Sequence, residues 1–292
     1  MKKSKVLLVH SGNLFPEYIN DCISQLVKYN FEVHLVISDE FIQSITNKNI
    51  YLSPISDYID DMYENYVTPH PDKWFRDNYW QRVHTRFFII SSYCKRNKLE
   101  KFFHIENDVL VYSDFVDITN KLVENGCEMS VIIDAENRGC PGLIYFKDSD
   151  AANRLSDHLF NNKSWNDMEN LYLYFNSNRD TVINFPIINT DHNTKLINSY
   201  GVGESGNINY SNMFDIYESI FDGASIGQYL GGYDPYVKPG NTDGYLNEYS
   251  VLNPSNFKYE WVDGIPYLIS NDKKIKINNL HIHSKNLKRF IK

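Results

Sequence analysis

The apolar run at residues 5–9, the helical recurrence of Ile19, Ile23, Leu26 and Val27, and a second apolar run at 32–37 predict a β-α-β unit at the start of the chain. Unbroken apolar runs of this length suit strands covered on both faces, as in a parallel sheet. Between them Ser11, Gly12 and Asn13 make a polar turn, and Pro16 stands where a first helical turn tolerates a missing N–H. Ligands of parallel units gather at the carboxyl ends of the strands. Residues 10–15 therefore fall on a binding side, but they do not spell G-x-G-x-x-G, which disfavours a dinucleotide site.

Residues 50–55 predict a short strand, 66–77 a loop with two prolines, and 80–97 a helix. That helix carries Val83, Phe87, Ile90 and Ser91 on one face, with Arg82 and Arg86 nearby. It feeds a short buried strand at Phe102, Phe103 and Ile105, and apolar character resumes at Val109, Leu110 and Val111. Glu106, Asn107 and Asp108 interrupt it. Desolvating unpaired carboxylates at a strand end is unfavourable by several kcal/mol, so a partner is expected. Closely spaced oxygen ligands suit Mg²⁺ or Mn²⁺ holding a phosphate; the alternative is a turn of solvated acids. Arg86 is expected either over a diphosphate or as a solvated helix arginine.

Downstream, 114–125 predicts a helix stopped by Gly126, 128–133 a strand ending at Asp134, and 142–146 another strand. Helices are expected at 149–160 and 167–175, and extended chain at 182–186. Residues 221–235, FDGASIGQYLGGYDP, hold four glycines with Asp222 and Asp234 near the ends. Gly231 and Gly232 would permit close backbone approach or a positive φ. Alternating strands are expected over 258–277, with a hairpin signal at Asp263-Gly264. In NLHIHSK, 279–285, His281 and His283 would share one face of a strand, and Lys285 adds a compact positive charge suited to phosphate.

Composition narrows the partners. A net charge of −8 and a pI near 5.6 argue against nucleic-acid binding. No apolar run approaches the ~20 residues of a membrane span, and the run at 6–9 is too short for a signal peptide core. Cys22, Cys94, Cys127 and Cys140 form no C-x-x-C pair, so neither zinc nor a disulfide framework is expected, and a cytoplasmic, reducing location is the default. Aromatic content of 15% suits flat ligands or sugar faces, or reflects coding bias toward Asn, Lys, Ile and Tyr. A length of 292 residues suits one large α/β domain or two small ones, and with no repeat or long linker one domain with two functional halves is expected.

Taken together, HIENDVLVY, the preceding RFFIISSYCKRNKLEKFF, FDGASIGQYLGGYDP and INNLHIHSKNLKRF occur in an order that resembles glycosyltransferases of the A fold. The opening VHSGNLFPEYINDCISQL fits the same group, so the resemblance spans nearly the whole chain. It implies a single α/β GT-A-like domain over 1–292, built on a Rossmann-like mixed central sheet flanked by helices, with a nucleotide-sugar half at about 1–115 and an acceptor half at about 116–292 that ends in a metal- and phosphate-binding strand. Glu-Asn-Asp is a variant of the Asp-x-Asp motif: Asp108 would bind Mn²⁺ or Mg²⁺, and Glu106 would contact the ribose or reach the metal through water, with Asn107 beside them. One of His281 and His283, more naturally His283, would complete the metal's coordination, and Lys285 would pair with the diphosphate. Ser11, Gly12 and Phe15 would hold base and ribose. The donor would be a nucleotide sugar, UDP-linked by the family's habit, and the acceptor a glycan or other hydroxyl. Asp222 is the first candidate for a catalytic base, followed by Asp234 and Asp134. Competing expectations are a non-catalytic carbohydrate-binding protein on the same scaffold, and a metal-dependent phosphohydrolase or nucleotidyltransferase.

Overall fold

The computed structural model describes residues 3–67, 79–162, 166–190, 208–235 and 243–292; most of the expected loop at 66–77 lies outside these. The fold is α/β, with a mixed central sheet flanked by helices. The predicted opening unit is present as β1 (Lys5–His10), α1 (Ile19–Lys28) and β2 (Glu32–Ile37), with β1 and β2 parallel. Pro16 sits in the turn before α1, where its carbonyl accepts from the Ile19 N–H. The short strand β3 (Tyr51–Pro54) extends the sheet, and α2 (Asp61–Val67) follows.

Helix α3 (Tyr79–Asn97) leads into β4 (Phe102–Ile105), which lies parallel to β1 on the side away from β2. After β5 (Val109–Val111) and α4 (Val116–Glu124) come the long strands β6 (Met129–Ala135) and β7 (Arg138–Phe146). Gly126 closes α4 with φ +67°, the left-handed stop expected of it. Helices α5 (Ser149–Asn161) and α6 (Asp167–Ser177) precede β8 (Val182–Asn184). The seven strands run β3-β2-β1-β4-β7-β6-β8, parallel across the first four and antiparallel around β7. Strand order reverses between β1 and β4, so the crevice at their carboxyl ends is the sheet's topological switch point.

Alternation along β1 divides the core. Val6 and Leu8 pack with Ile19, Ile23 and Leu26 of α1, whereas Leu7 and Val9 face the layer containing Phe87, Ile90 and Leu155 of α3 and α5.

The C-terminal part builds a second sheet. After α7 (Phe214–Tyr217), β9 (Ser219–Ile220) and α8 (Ile226–Gly231) come β10 (Lys258–Val262), β11 (Ile265–Ser270) and β12 (Lys273–Ile277), ordered β10-β11-β12-β9. The hairpin signal at Asp263-Gly264 is realised with φ values of 50° and 79°, both positive as a type I′ turn requires. Finally β13 (Asn279–His281) pairs antiparallel with β5, setting His281 opposite Val109. This pairing carries the late histidines to the acidic turn. No helix among the described residues is long and apolar enough to cross a membrane.

Candidate functional site

Strand β4 stops at Ile105 because the chain turns there: the Val109 N–H donates to the Glu106 carbonyl, 3.0 Å, and Asn107 Nδ2 reaches back to the Val9 carbonyl of β1. The turn sits at the switch point, with Glu106 and Asp108 on either side of it. Ladder bonding continues past β13, where the Ile282 N–H donates to the Asp108 carbonyl at 2.8 Å. Acids and imidazole are thus fixed by backbone on both sides.

His281 Nε2 lies 3.2 Å from Glu106 Oε2 and 3.3 Å from Asp108 Oδ1. One ligand atom from each of the three residues falls within 4.8 Å of the others, the spacing of a metal-ligating group. The other ring nitrogen, Nδ1, lies 2.8 Å from the Gly223 carbonyl oxygen. A carbonyl only accepts, so Nδ1 carries a proton and Nε2 is turned toward the acids, the orientation used by metal-ligating histidines. Two carboxylates and one imidazole form a donor set compatible with Mn²⁺, more so than with Mg²⁺, which favours oxygen.

Two cations back the acids. Lys285 Nζ is ion-paired with Asp108 Oδ2, while Arg86, 8% exposed, bridges Glu106 and Asp167 of α6. Burial alone would raise the carboxyl pKa values, but Arg86 holds Glu106, and Lys285 with His281 holds Asp108, well below the usual range. Burial would lower the His281 pKa; the Asp108 and Glu106 carboxylates outweigh it and raise it well above 6.5. His283 goes the other way, because burial and the charge of His281 both disfavour its protonated form.

The histidines divide their roles. His281 joins the acids, whereas His283, favoured by the resemblance, packs against the His281 ring at 4.0 Å between centroids with the planes tilted by 34°, and sets Nδ1 3.3 Å from the His281 carbonyl. Tyr233 lies parallel to His283 at 6.2 Å, and Tyr245 stacks on Tyr233 at 4.7 Å. Asp234 is half-buried beside Tyr233, and its charge acts on the Tyr18 phenol, as do those of Lys285, Asp108 and Glu106.

The other two candidate bases are bound into the fold. Asp222 is 2% exposed; Oδ1 accepts from the Ser225 and Ile226 N–H groups and Oδ2 from those of Gly227 and His281, at 2.8–3.2 Å. Four donors fill the lone-pair sites of one carboxylate. Asn279 adds a reciprocal pair to the Asp222 backbone. Asp134 is the next-to-last residue of β6, and Arg138 holds it through two bonds of 2.8 Å. Neither geometry presents a carboxylate to an incoming hydroxyl.

Ser11, Gly12 and Phe15 follow β1 at the same crevice; Phe15 packs on Phe41 at 5.7 Å, and the Gly12 carbonyl accepts from Ser38 Oγ. Of these three only Phe15 lines a cavity of 540 Å³, with Glu17, Asn20, Asp21, Lys285 and Lys288 among others. Arg86 does not reach it, being held between two acids.

Three close approaches were not foreseen. A β-carbon at Gly142 would stand 2.7 Å from His281 Nδ1, one at Gly227 would collide with the His281 carbonyl, and one at Gly223 would press on Ile132 and the Asp134 carboxylate. Of the two glycines expected to permit close approach or a positive φ, Gly231 would set a β-carbon 3.0 Å from the Phe290 ring and Gly232 has φ +87°. Asp167, the second partner of Arg86, carries no local signal at all.

Fold and site together define an α/β protein with a buried carboxylate–imidazole centre at the switch point of its sheet. No protein-family model matches the chain, and no curated protein does. Among solved structures, it is similar to mouse xyloside xylosyltransferase 1 in its apo form, at 6% identity and TM-score 0.45, over 64% of this chain and 86% of that one. It is also similar to the glycosyltransferase GlyE of Streptococcus pneumoniae TIGR4, at 10% identity and TM-score 0.41, over 68% of this chain. The apo form of GlyE matches at 11% identity and TM-score 0.41 over 62% of this chain. The chain spans less than half the length of both GlyE structures, 48% and 45%.

Proposed function

We propose that the protein is a metal-dependent glycosyltransferase of the A fold, moving a sugar from a nucleotide-diphosphate sugar to an acceptor hydroxyl. The observation that carries this reading is the convergence of Glu106, Asp108 and His281 within 4.8 Å, with Lys285 paired to Asp108 and also lining a 540 Å³ cavity. Glu106, Asp108 and His281 would hold Mn²⁺, which supplies positive charge to the leaving diphosphate. Lys285 would add its ammonium to the same oxygens as negative charge develops there, the kind of differential stabilisation that accelerates a reaction. Arg86 keeps Glu106 ionised and aimed at the centre, a positioning role. Phe15, with Ser11 and Gly12, would receive the nucleoside, for which UDP is the first choice. Of the three candidate bases, Asp222 and Asp134 are held by backbone N–H groups and by Arg138, whereas Asp234 adjoins Tyr233, whose ring lies parallel to His283, and we assign Asp234 the acceptor proton.

The test is product analysis after incubation with UDP-, GDP- and dTDP-sugars and Mn²⁺. Metal-dependent release of nucleoside diphosphate supports the transferase. Release of nucleoside monophosphate and sugar phosphate would assign a phosphohydrolase or nucleotidyltransferase instead. Donor binding without turnover across acceptors would assign a carbohydrate-binding protein.

A further inference from the structure

The Lys285 ammonium occupies the position from which it would meet a diphosphate only incompletely, because it is already spent on Asp108. Its Nζ is paired with Oδ2 while Oδ1 of the same carboxylate faces His281 at 3.3 Å. The Asp108 side chain is 7% exposed and that of Lys285 22%, so water screens the pair weakly. The backbone is committed to this arrangement. Lys285 has φ +63°, in the left-handed region that lysine rarely adopts, and its N–H closes a turn onto the Ile282 carbonyl at 2.9 Å. The same side chain also forms part of the wall of the 540 Å³ cavity, together with Phe15 and Lys288, and passes 5.8 Å from the Tyr18 ring. It therefore has a second place to go.

We infer that Lys285 is the internal counter-cation of the metal-free centre and is displaced from Asp108 toward the cavity when a divalent ion binds, so that metal binding and diphosphate capture are coupled through this one side chain. This rests on the metal-binding reading above. Charge gives the reason. Glu106 and Asp108 hold two negative charges at the centre, faced by Lys285 and by His281 when its ring is protonated, and Asp167 lies behind Arg86. Arg86 is locked between two of these acids; Lys285 is held by one, on a flexible stem that borders open space. A divalent ion beside Asp108 repels the nearby ammonium and replaces it as the acid's partner. Until then the ammonium is engaged by Asp108, and a diphosphate would have to compete with that carboxylate for it. The metal-free centre accordingly excludes free nucleotide, and the loaded centre admits it with Lys285 available.

The experiment is Mn²⁺ titration, by calorimetry and by the loss of the free-ion paramagnetic resonance signal, in the absence of nucleotide. It compares the native chain, Lys285→Gln, Lys285→Met and Lys285→Arg, each checked for folding by circular dichroism. Removing the competing charge should tighten Mn²⁺ binding by about tenfold or more in both neutral variants, while Lys285→Arg stays near the native value. A second titration with UDP should show that Mn²⁺ tightens UDP binding in the native chain and does so less in Lys285→Gln. Equal or weaker Mn²⁺ binding by both neutral variants would overturn the inference and leave the metal centre standing. Failure of the native chain to bind Mn²⁺ at all would overturn the metal centre itself, and the inference with it.

Discussion

Gly142 lies directly under the ring of His281: a β-carbon added there would stand 2.7 Å from Nδ1 and 2.9 Å from Cε1. Glycine is thus what lets β7 pass beneath the imidazole that faces the two acids. Replacing it with alanine should push the ring away from Glu106 and Asp108. Gly142→Ala is expected to weaken Mn²⁺ binding by roughly 10–100-fold, the usual size of a disturbed ligand orientation, with destabilisation of about 1–3 kcal/mol for the overpacked core. Calorimetric titration and a thermal melt on one preparation check both.

Asp222 separates a structural from a catalytic role. Its carboxylate holds four backbone N–H groups, including that of His281. Asp222→Asn exchanges one acceptor oxygen for a donor facing donors, and should lower stability by about 2–4 kcal/mol. The melting temperature should fall and Mn²⁺ affinity with it. An unchanged melt with turnover abolished would return Asp222 to the role of base.

Much of the fold was legible because its determinants are local. Continuous apolar runs marked β1 and β2, and helical recurrence marked α1. Two positive-φ residues of suitable type marked the hairpin at Asp263-Gly264. The candidate site was legible as a set of parts, Glu106, Asp108, His281, His283 and Lys285, but not as an arrangement. That His281 and not His283 turns toward the acids follows from the register of β13 against β5 and from the Gly223 carbonyl, both long-range facts. Arg86 could not be separated from a solvated helix arginine because its second partner, Asp167, sits on a helix far along the chain. Asp222 is the first candidate base by sequence because nothing local reveals that β13 folds back over it.

Arg86 bridges two buried carboxylates, so its loss should affect stability more than a solvated arginine would. Arg86→Ala leaves Glu106 and Asp167 without their cation, a change expected to destabilise by about 3–5 kcal/mol. Chemical denaturation of the native chain and the variant measures it.

The pH dependence of metal binding follows from His281. Burial works to lower its pKa, but the Asp108 and Glu106 carboxylates hold it well above 6.5. The raised pKa favours the protonated ring when no metal is bound, so Mn²⁺ would compete with a proton for Nε2. Affinity should rise by about tenfold per pH unit while one proton is exchanged. The metal-free protein should show the opposite trend in stability. A raised folded-state histidine pKa gives stability that is fully present below the unfolded value of about 6.5 and lost as pH rises through the folded value. Titrations and melts at pH 6, 7 and 8, with and without Mn²⁺, test both signs.

The central claim concerns one point in space, between the turn after β4 and the end of β13. Crystals soaked with Mn²⁺ and a UDP-sugar, measured for anomalous scattering, examine that point directly. The account predicts a single strong peak in contact with Asp108 and His281 Nε2, with Glu106 beside it and the diphosphate on its open side. A peak elsewhere, or bound donor with no metal at Asp108 and His281, would contradict it.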